Sequence, residues 1–317
     1  MNHNKFMRRA LKLADKGNGY VSPNPKVGAV IVKDNQIISE GWHKKYGSAH
    51  AEVEAINNAK IDNFEDCTIY VNFEPCSHYG KTPPCAELIV NKKFKRVVVG
   101  SKDPNPLVAG KGIEIIKNAG IEVITDVCKE ECDWINRIFF KHIIKKKPYI
   151  MLKIAQTIDA SIALKNGESK WITCEKSRIE THKLRSEFDA ILVGKNTILT
   201  DNPTLNVRLI NGRDPYRIIC DTNLAIPLEA NIFKPDNQSN TIICTSKKSC
   251  NSTKAQKIKS LGANILEISE NSAAQLNLEE LVNKLYEKYN ITSIMVEGGA
   301  GIYSSFLKSN LIDELQI

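Results

Sequence analysis

An imidazole and two thiols suited to one metal ion are spread between His50 and Cys85, and a chain that uses them must fold so that they meet. The stretch opens with His50-Ala51-Glu52 and closes with Glu74-Pro75-Cys76-Ser77-His78-Tyr79-Gly80-Lys81-Thr82-Pro83-Pro84-Cys85. One nitrogen and two sulfurs leave the fourth position of a tetrahedral zinc to water, the arrangement of a catalytic zinc centre. Glu52 stands two residues from the first ligand, close enough to meet that water without binding the metal. Zinc lowers the pKa of bound water from about 15.7 toward about 7, and a nearby carboxylate can carry the proton to a leaving amine. Histidine-x-glutamate followed by proline-cysteine is the mark of hydrolytic deamination of nucleobases. A lone H-x-E is common and isolated cysteines pack as buried hydrophobes, so the order of the residues and the proline carry the reading.

Along the chain, apolar strands alternate with helical stretches. Phe6, Ala10, Leu13 and Ala14 recur at helical spacing within residues 5–16, ended by Gly17-Asn18-Gly19. Val27 to Val32 and Ile37 to Trp42 read as two strands joined by a polar turn, and the next helix carries His50 in its first turn. A buried strand, Thr68 to Val71, delivers Glu74 to Cys76 at its end, and Cys85 to Val90 reads as a helix. Further strands are expected over residues 96–100 and 121–125, with a helix over 112–119 between them and one long helix over 127–146, stopped by Pro148. The boundary between two domains, 1–147 and 148–317, is placed there. The second half restarts with strands near 149–155, 189–194, 216–221, 241–244, 264–268 and 293–297, and helices near 175–186, 253–260, 278–289 and 301–308. Both halves therefore read as α/β, each with a mostly parallel sheet covered on both faces.

A chain of 317 residues can bury two cores, and 42% hydrophobic with 25% charged residues is an ordinary globular composition. No apolar run is long enough to cross a bilayer, and the N-terminus leads into a helical pattern instead of a signal-peptide core, so a cytoplasmic protein without a membrane partner is expected. Nine cysteines, an odd count with no repeating framework, do not read as a disulfide scaffold. Cys67, Cys128, Cys132, Cys174, Cys220, Cys244 and Cys250 are expected to be reduced and mostly structural. The net charge of +8 is dispersed, with only Lys145-Lys146-Lys147 clustered, which suits a phosphorylated small molecule and does not call for nucleic acid. In the second half no G-x-G-x-x-G follows a strand, but Glu297-Gly298-Gly299-Ala300-Gly301 joins a strand to a helix whose open N-H groups could approach a phosphate.

Eight residues separate Cys76 from Cys85, where many zinc deaminases have C-x-x-C. With Pro23-Asn24-Pro25-Lys26-Val27-Gly28 upstream and Asp103-Pro104-Asn105-Pro106 downstream, the stretch resembles the deaminase half of the bifunctional riboflavin-biosynthesis RibD family. The family motifs P-N-P-x-V-G, H-A-E, E-P-C-S-H-x-G-x-T-P-P-C and D-P-N-P are all present. Lys153 to Asp159, Gly167 to Thr173, Arg185, Val193-Gly194 with Thr197, Asp201 to Leu205 with Arg208, and Val296 to Gly299 look like its reductase half. The resemblance implies an N-terminal cytidine-deaminase-like α/β/α domain and a C-terminal dihydrofolate-reductase-like α/β domain, truncated at its C-terminus because the chain stops within a strand. It implies Zn2+ on His50, Cys76 and Cys85 and proton transfer by Glu52. A diaminopyrimidinone with a ribosylamino phosphate would be oriented by Asn24, His78, Lys81, Thr82, Asp103 and Asn105. In the second half it implies NADPH lined by Ala155, Trp171, Thr197, Asp201, Thr222, Gly299, Ala300, Gly301, Ile302, Tyr303, Ser304 and Ser305. Ser169, Arg185, Leu205, Arg208 and Glu297 would hold the substrate there, with Lys153 and Glu297 as polar groups at the reacting carbon and the arginines on its phosphate. A homo-oligomer is also implied.

One departure is local: the family commonly has Asp-Gly where this chain has Asp159-Ala160, and a turn needing positive φ would resist alanine. Rival readings are a deaminase with an impaired reductase half, a nucleic-acid base deaminase, and a zinc-stabilised nucleotide-binding regulator without activity.

Overall fold

A computed structural model describes residues 2–79, 83–164, 172–234 and 240–317. The chain divides into two compact units, Met1–Lys146 and Lys147–Ile317.

In the first unit the elements run α1 (His3–Ala14), β1 (Gly28–Lys33), β2 (Gln36–Trp42), α2 (Ala51–Asn58), β3 (Thr68–Phe73), α3 (Cys85–Asn91), β4 (Arg96–Ser101), α4 (Lys111–Asn118), β5 (Glu122–Ile124), α5 (Lys129–Ile135) and α6 (Arg137–Lys145). The sheet order is β2-β1-β3-β4-β5. Every residue of β3 is buried, as a central strand sandwiched by helices requires. On one face Ile31, Ile69 and Val97 pack with Ala55, Ile89 and Ile116 from α2, α3 and α4; on the other Val30, Tyr70 and Val98 pack with Met7, Ala10 and Leu13 of α1. The sheet is covered on both faces, but it is less parallel than expected. β1 runs antiparallel to both of its neighbours, and only β3-β4 and β4-β5 are parallel.

The long helix expected over 127–146 is two helices, broken at Asn136 with φ −106° and ψ 15°. The cause lies far away in sequence. Asn136 is 2% exposed; its Oδ1 accepts from Lys26 N at 2.7 Å, and its Nδ2 donates to Lys26 O at 3.1 Å. Asn72, at the end of β3, donates to the same Lys26 carbonyl at 3.0 Å and accepts from Gly28 N at 2.8 Å. Two buried amides thus serve the backbone at the entry to β1, ahead of its first residue paired with β3.

The second unit runs β6 (Tyr149–Lys153), α7 (Glu175–Glu187), β7 (Ala190–Gly194), α8 (Lys195–Asp201), β8 (Tyr216–Cys220), β9 (Thr241–Thr245), α9 (Lys247–Cys250), α10 (Thr253–Ser260), β10 (Asn264–Glu267), α11 (Leu278–Tyr289), β11 (Ser293–Gly298), α12 (Ala300–Lys308) and β12 (Glu314–Gln316). Its seven-stranded sheet has the order β10-β9-β8-β7-β11-β6-β12, and all of its pairings are parallel. β11, formed late in the chain, inserts between β6 and β7, so the strand order reverses there. In an open parallel sheet such a point leaves a crevice beyond the carboxyl ends of the strands. The turn at Asp159-Ala160 does adopt positive φ, 64° at Ala160, held by a bond from Ala160 N to Thr157 O at 2.9 Å and by Ser161 Oγ donating to Asp159 at 3.1 Å. Among the described residues no helix is long and apolar enough to cross a membrane.

Candidate active sites

The first site gathers at the exit of β3. His50 is the N-cap of α2, with φ −71° and ψ 159°, one residue ahead of the first turn in which the sequence placed it. Cys76 follows β3 and Cys85 is the first residue of α3. His50 Nδ1 lies 3.3 Å from Cys85 Sγ and 3.5 Å from Cys76 Sγ, and the ligand atoms all fall within 4.8 Å of one another. Zinc bonds of about 2.05 Å to nitrogen and about 2.3 Å to sulfur place those atoms about 3.5 Å apart around a tetrahedral ion, so the donor set fits zinc. It is the only such cluster among the described residues; Cys128 and Cys132 do not form a second.

The electrostatics match. The hydrogen bond from the Cys85 thiol draws Cys76 well below the usual thiol range, toward the thiolate a metal binds, while the same bond and burial push Cys85 up. His50 is raised, first by its bond to Cys76. Glu52, 3% exposed in α2, is pushed up to about 7, mainly by burial and next by the negative charge of Cys76. A carboxyl balanced near neutrality can both take and give a proton.

A cavity of about 330 Å³ opens beside these groups. Asn24, His78, Asp103 and Asn105 line it, as do His50, Glu52 and Cys76. Lys81 and Thr82 lie outside the described residues. His43 lines it as well and was missed in the sequence. It is 3% exposed, its Nδ1 donates to Ala49 O at 3.0 Å, and that bond leaves Nε2 to accept from Asn24 Nδ2 at 3.3 Å. Burial lowers its pKa and keeps the imidazole neutral. The available signal was its position just past β2 in Gly41-Trp42-His43. Phe73, Phe139 and Ile143 supply apolar walls, the last two from a helix whose register hid them.

The second site is a cleft of about 460 Å³ at the carboxyl ends of β6, β7 and β11. Lys153, Ala155, Thr197, Asp201, Arg185, Leu205, Arg208 and Glu297 all line it. Ser169 and Trp171 lie outside the described residues. Glu297 and Arg185 form a two-pronged ion pair, Nε to Oε1 at 2.8 Å and Nη2 to Oε2 at 2.6 Å, with side chains only 9% and 13% exposed. A third donor, Nη1, goes to Asn206 O at 3.1 Å, so Arg185 spends most of its fork inside the protein and orients Glu297. Arg208 stays exposed. Burial lowers the pKa of Lys153, against the pull of Glu297. His182, also in the cleft and missed in the sequence, is lowered to about 4 by burial and then by Arg185 and Arg208.

Gly299 opens α12 with φ +89°, beside Thr197, and a Cβ on Gly301 would meet nothing within 4 Å. The first N-H groups of that helix are therefore open to a phosphate, which fits a dinucleotide cofactor. Beyond them the positions diverge. Ile302 packs on the sheet core, Tyr303 donates to Lys153 O at 2.9 Å, Ser305 donates back to Gly301 O at 2.8 Å, and Ala300 and Ser304 are exposed. Thr222 follows β8, where its carbonyl accepts from Thr245 Oγ1 at 2.9 Å, and it does not line the cleft.

Comparison with known proteins places both halves. Residues 1–101 match the model of the cytidine and deoxycytidylate deaminase zinc-binding region, and residues 148–317 match that of the RibD C-terminal domain. Riboflavin biosynthesis protein RibD of Actinobacillus pleuropneumoniae is 42% identical over 310 residues, covering 98% of this chain and 81% of that protein. The Aquifex aeolicus RibD is 44% identical over 313 residues, covering 98% and 85%. Among solved structures, Acinetobacter baumannii RibD superposes with a TM-score of 0.84 at 39% identity, covering 99% of this chain and 85% of that one. A Thermotoga maritima diaminohydroxyphosphoribosylaminopyrimidine deaminase/5-amino-6-(5-phosphoribosylamino)uracil reductase gives 0.84 at 40% identity, covering 97% and 84%. With a zinc-type ligand cluster in one half, a cleft at the strand-order reversal in the other and relatives along nearly its whole length, the chain belongs to the RibD family of bifunctional riboflavin-biosynthesis enzymes.

Proposed function

We propose that His50, Cys76 and Cys85 hold zinc and that Glu52 moves the proton in hydrolytic deamination of a diaminopyrimidinone carrying a ribosylamino phosphate. The observation that carries this is a buried carboxyl lining the same cavity as His50 and Cys76, where one nitrogen and two sulfurs converge at zinc spacing. When bound, zinc makes hydroxide available near pH 7. Glu52 takes a proton on its carboxylate and returns it to the departing ammonia, while burial keeps bulk water from competing for that proton. Asn24, fixed by His43, and Asp103 with Asn105 orient the ring; His78 serves its phosphate, and Lys81 and Thr82, outside the described residues, are assigned to the same substrate from the sequence alone.

In the second half NADPH supplies hydride, and the chain binds and orients. Thr197, Asp201, Ala155 and the start of α12 at Gly299 to Gly301 hold the cofactor; Thr222, which lies beyond the cleft lining, and Trp171, outside the described residues, are assigned to it from the sequence alone. Glu297, fixed by Arg185, and Lys153, whose ammonium gives up its proton more readily than usual, meet the ribosyl carbon as it becomes ribityl. Ser169, Leu205 and Arg208 complete the substrate site, and the two domains act in sequence in a cytoplasmic homo-oligomer. Glu52→Gln tests the first step: zinc content should stay at the parental level while ammonia release falls about a hundredfold or more. Ammonia release at the parental rate would remove Glu52 from the reaction.

A further inference from the structure

Glu74 leaves β3 two residues ahead of Cys76, and it is 6% exposed. Its carboxylate accepts from four backbone N-H groups: Asp103 at 3.1 Å and Gly110 at 3.0 Å on Oε2, Gly112 at 3.0 Å and Ile113 at 3.5 Å on Oε1. These donors bracket the loop that follows β4. Asp103 opens it, Gly110 closes it as the N-cap of α4, and the other two begin that helix. α4 sits so close that a Cβ on Gly112 would lie 1.9 Å from the Pro75 carbonyl oxygen, the residue joining Glu74 to Cys76.

Inside the loop the same logic continues. Asp103 Oδ1 accepts from Asn105 N at 2.8 Å, and Asn105 Oδ1 accepts from Leu107 N at 3.1 Å. Each side chain spends one atom shaping the loop and leaves the other, without a partner among the described residues, for the cavity that both line. All four partners of Glu74 donate, so the position calls for a group that only accepts; an amide would set its NH2 against two of them. The start of α4 favours the negative charge as well.

We propose that Glu74 is a positioning residue for deamination: it holds both ends of the Asp103 to Gly110 loop against the exit of β3, registering the ring-orienting groups with the metal ligand two residues on. This rests on the deaminase reading above. Glu74 touches neither metal nor substrate; it acts through Asp103 and Asn105.

The test uses the full chain as Glu74→Gln and Glu74→Asp. Four quantities are measured: KM and kcat for ammonia release from the phosphoribosylated diaminopyrimidinone, zinc per chain, and NADPH oxidation with the deaminated intermediate as a control for the other half. In the Gln variant kcat/KM should fall about ten- to a hundredfold, carried mainly by KM, as a misplacement of about 1 Å costs, with zinc and NADPH oxidation little changed. The Asp variant, which keeps the charge, should show a smaller fall. In an Asp103→Ala background, Glu74→Gln should add little, because both act through one loop. Unchanged KM, full additivity with Asp103→Ala, or loss of zinc in both variants would each overturn the proposal. A parental chain that releases no ammonia sinks the deaminase reading and the proposal with it; normal parental turnover with an unaltered variant sinks the proposal alone.

Discussion

Replacing Asn136 with alanine separates the two demands that meet at the break between α5 and α6. Helix propensity favours alanine by about 0.7 kcal/mol, and the flanking residues would accept one continuous helix. Against this, the Lys26 N-H loses its 2.7 Å bond to Asn136 Oδ1 inside the protein, and removing one side of a buried hydrogen bond costs about 1–3 kcal/mol. The Lys26 carbonyl loses one of two donors and keeps Asn72 at 3.0 Å, so it adds little. The balance is a net loss of about 0.3–2.3 kcal/mol confined to the first unit. Native-state hydrogen exchange at the Lys26 amide reads the effect directly, and the denaturant midpoint for zinc release reads its cost. Protection at Lys26 should fall, and the midpoint should move down. Unchanged protection, or a midpoint that rises, would show that the helix break is not maintained by the Lys26 backbone.

Three further outcomes follow from the second unit. Ala160→Gly should stabilise it by about 0.5–1 kcal/mol, because alanine at φ 64° carries left-handed strain that glycine does not; a lower thermal midpoint would refute this. His182 has a folded pKa of about 4 against an ordinary 6.5, so its neutral form contributes stability that is complete above pH 6.5 and lost as pH falls toward 4, about 1–2 kcal/mol of it by pH 5. His182→Gln can still accept from Arg208 N, and its denaturant midpoint should decline less steeply than the parental one across that window. Arg185→Ala strands the Glu297 carboxylate, which the guanidinium now holds below its ordinary pKa against burial; NADPH oxidation should fall sharply and stability by about 3–5 kcal/mol, while ammonia release serves as the unaffected control.

The zinc-type ligands were legible because each sits in a short motif whose chemistry is local, and the strand before Cys76 and the helix after Cys85 were legible from periodicity. Long-range causes were not. Ile135, Ile138, Phe139 and Ile143 keep a helical period straight across Asn136, and nothing near it announces a partner 110 residues away. The Arg185 to Glu297 pair spans 112 residues, so the arginine read as a phosphate ligand when most of its fork is engaged inside the protein. The first sheet looked parallel because alternation of strands with helices dominated the pattern, while the pairing of β1 with β3 depends on register that periodicity does not encode. Ala160 shows the reverse case: propensity argued against the turn, and its hydrogen bonds impose it.

The strand order of the second sheet has a consequence for biosynthesis. β6 is the first strand of that unit in chain order, yet its neighbours are β11 and β12, which follow it by more than 140 residues. Until those arrive, Tyr149 to Lys153 has neither of its native hydrogen-bonding neighbours, so the nascent unit must hold an apolar strand in reserve over most of its length. Pairings of such wide sequence separation form slowly and expose sticky intermediates. The first unit, whose β1 and β2 form a hairpin and whose sheet closes by β5, can complete its pairings while the second is still emerging.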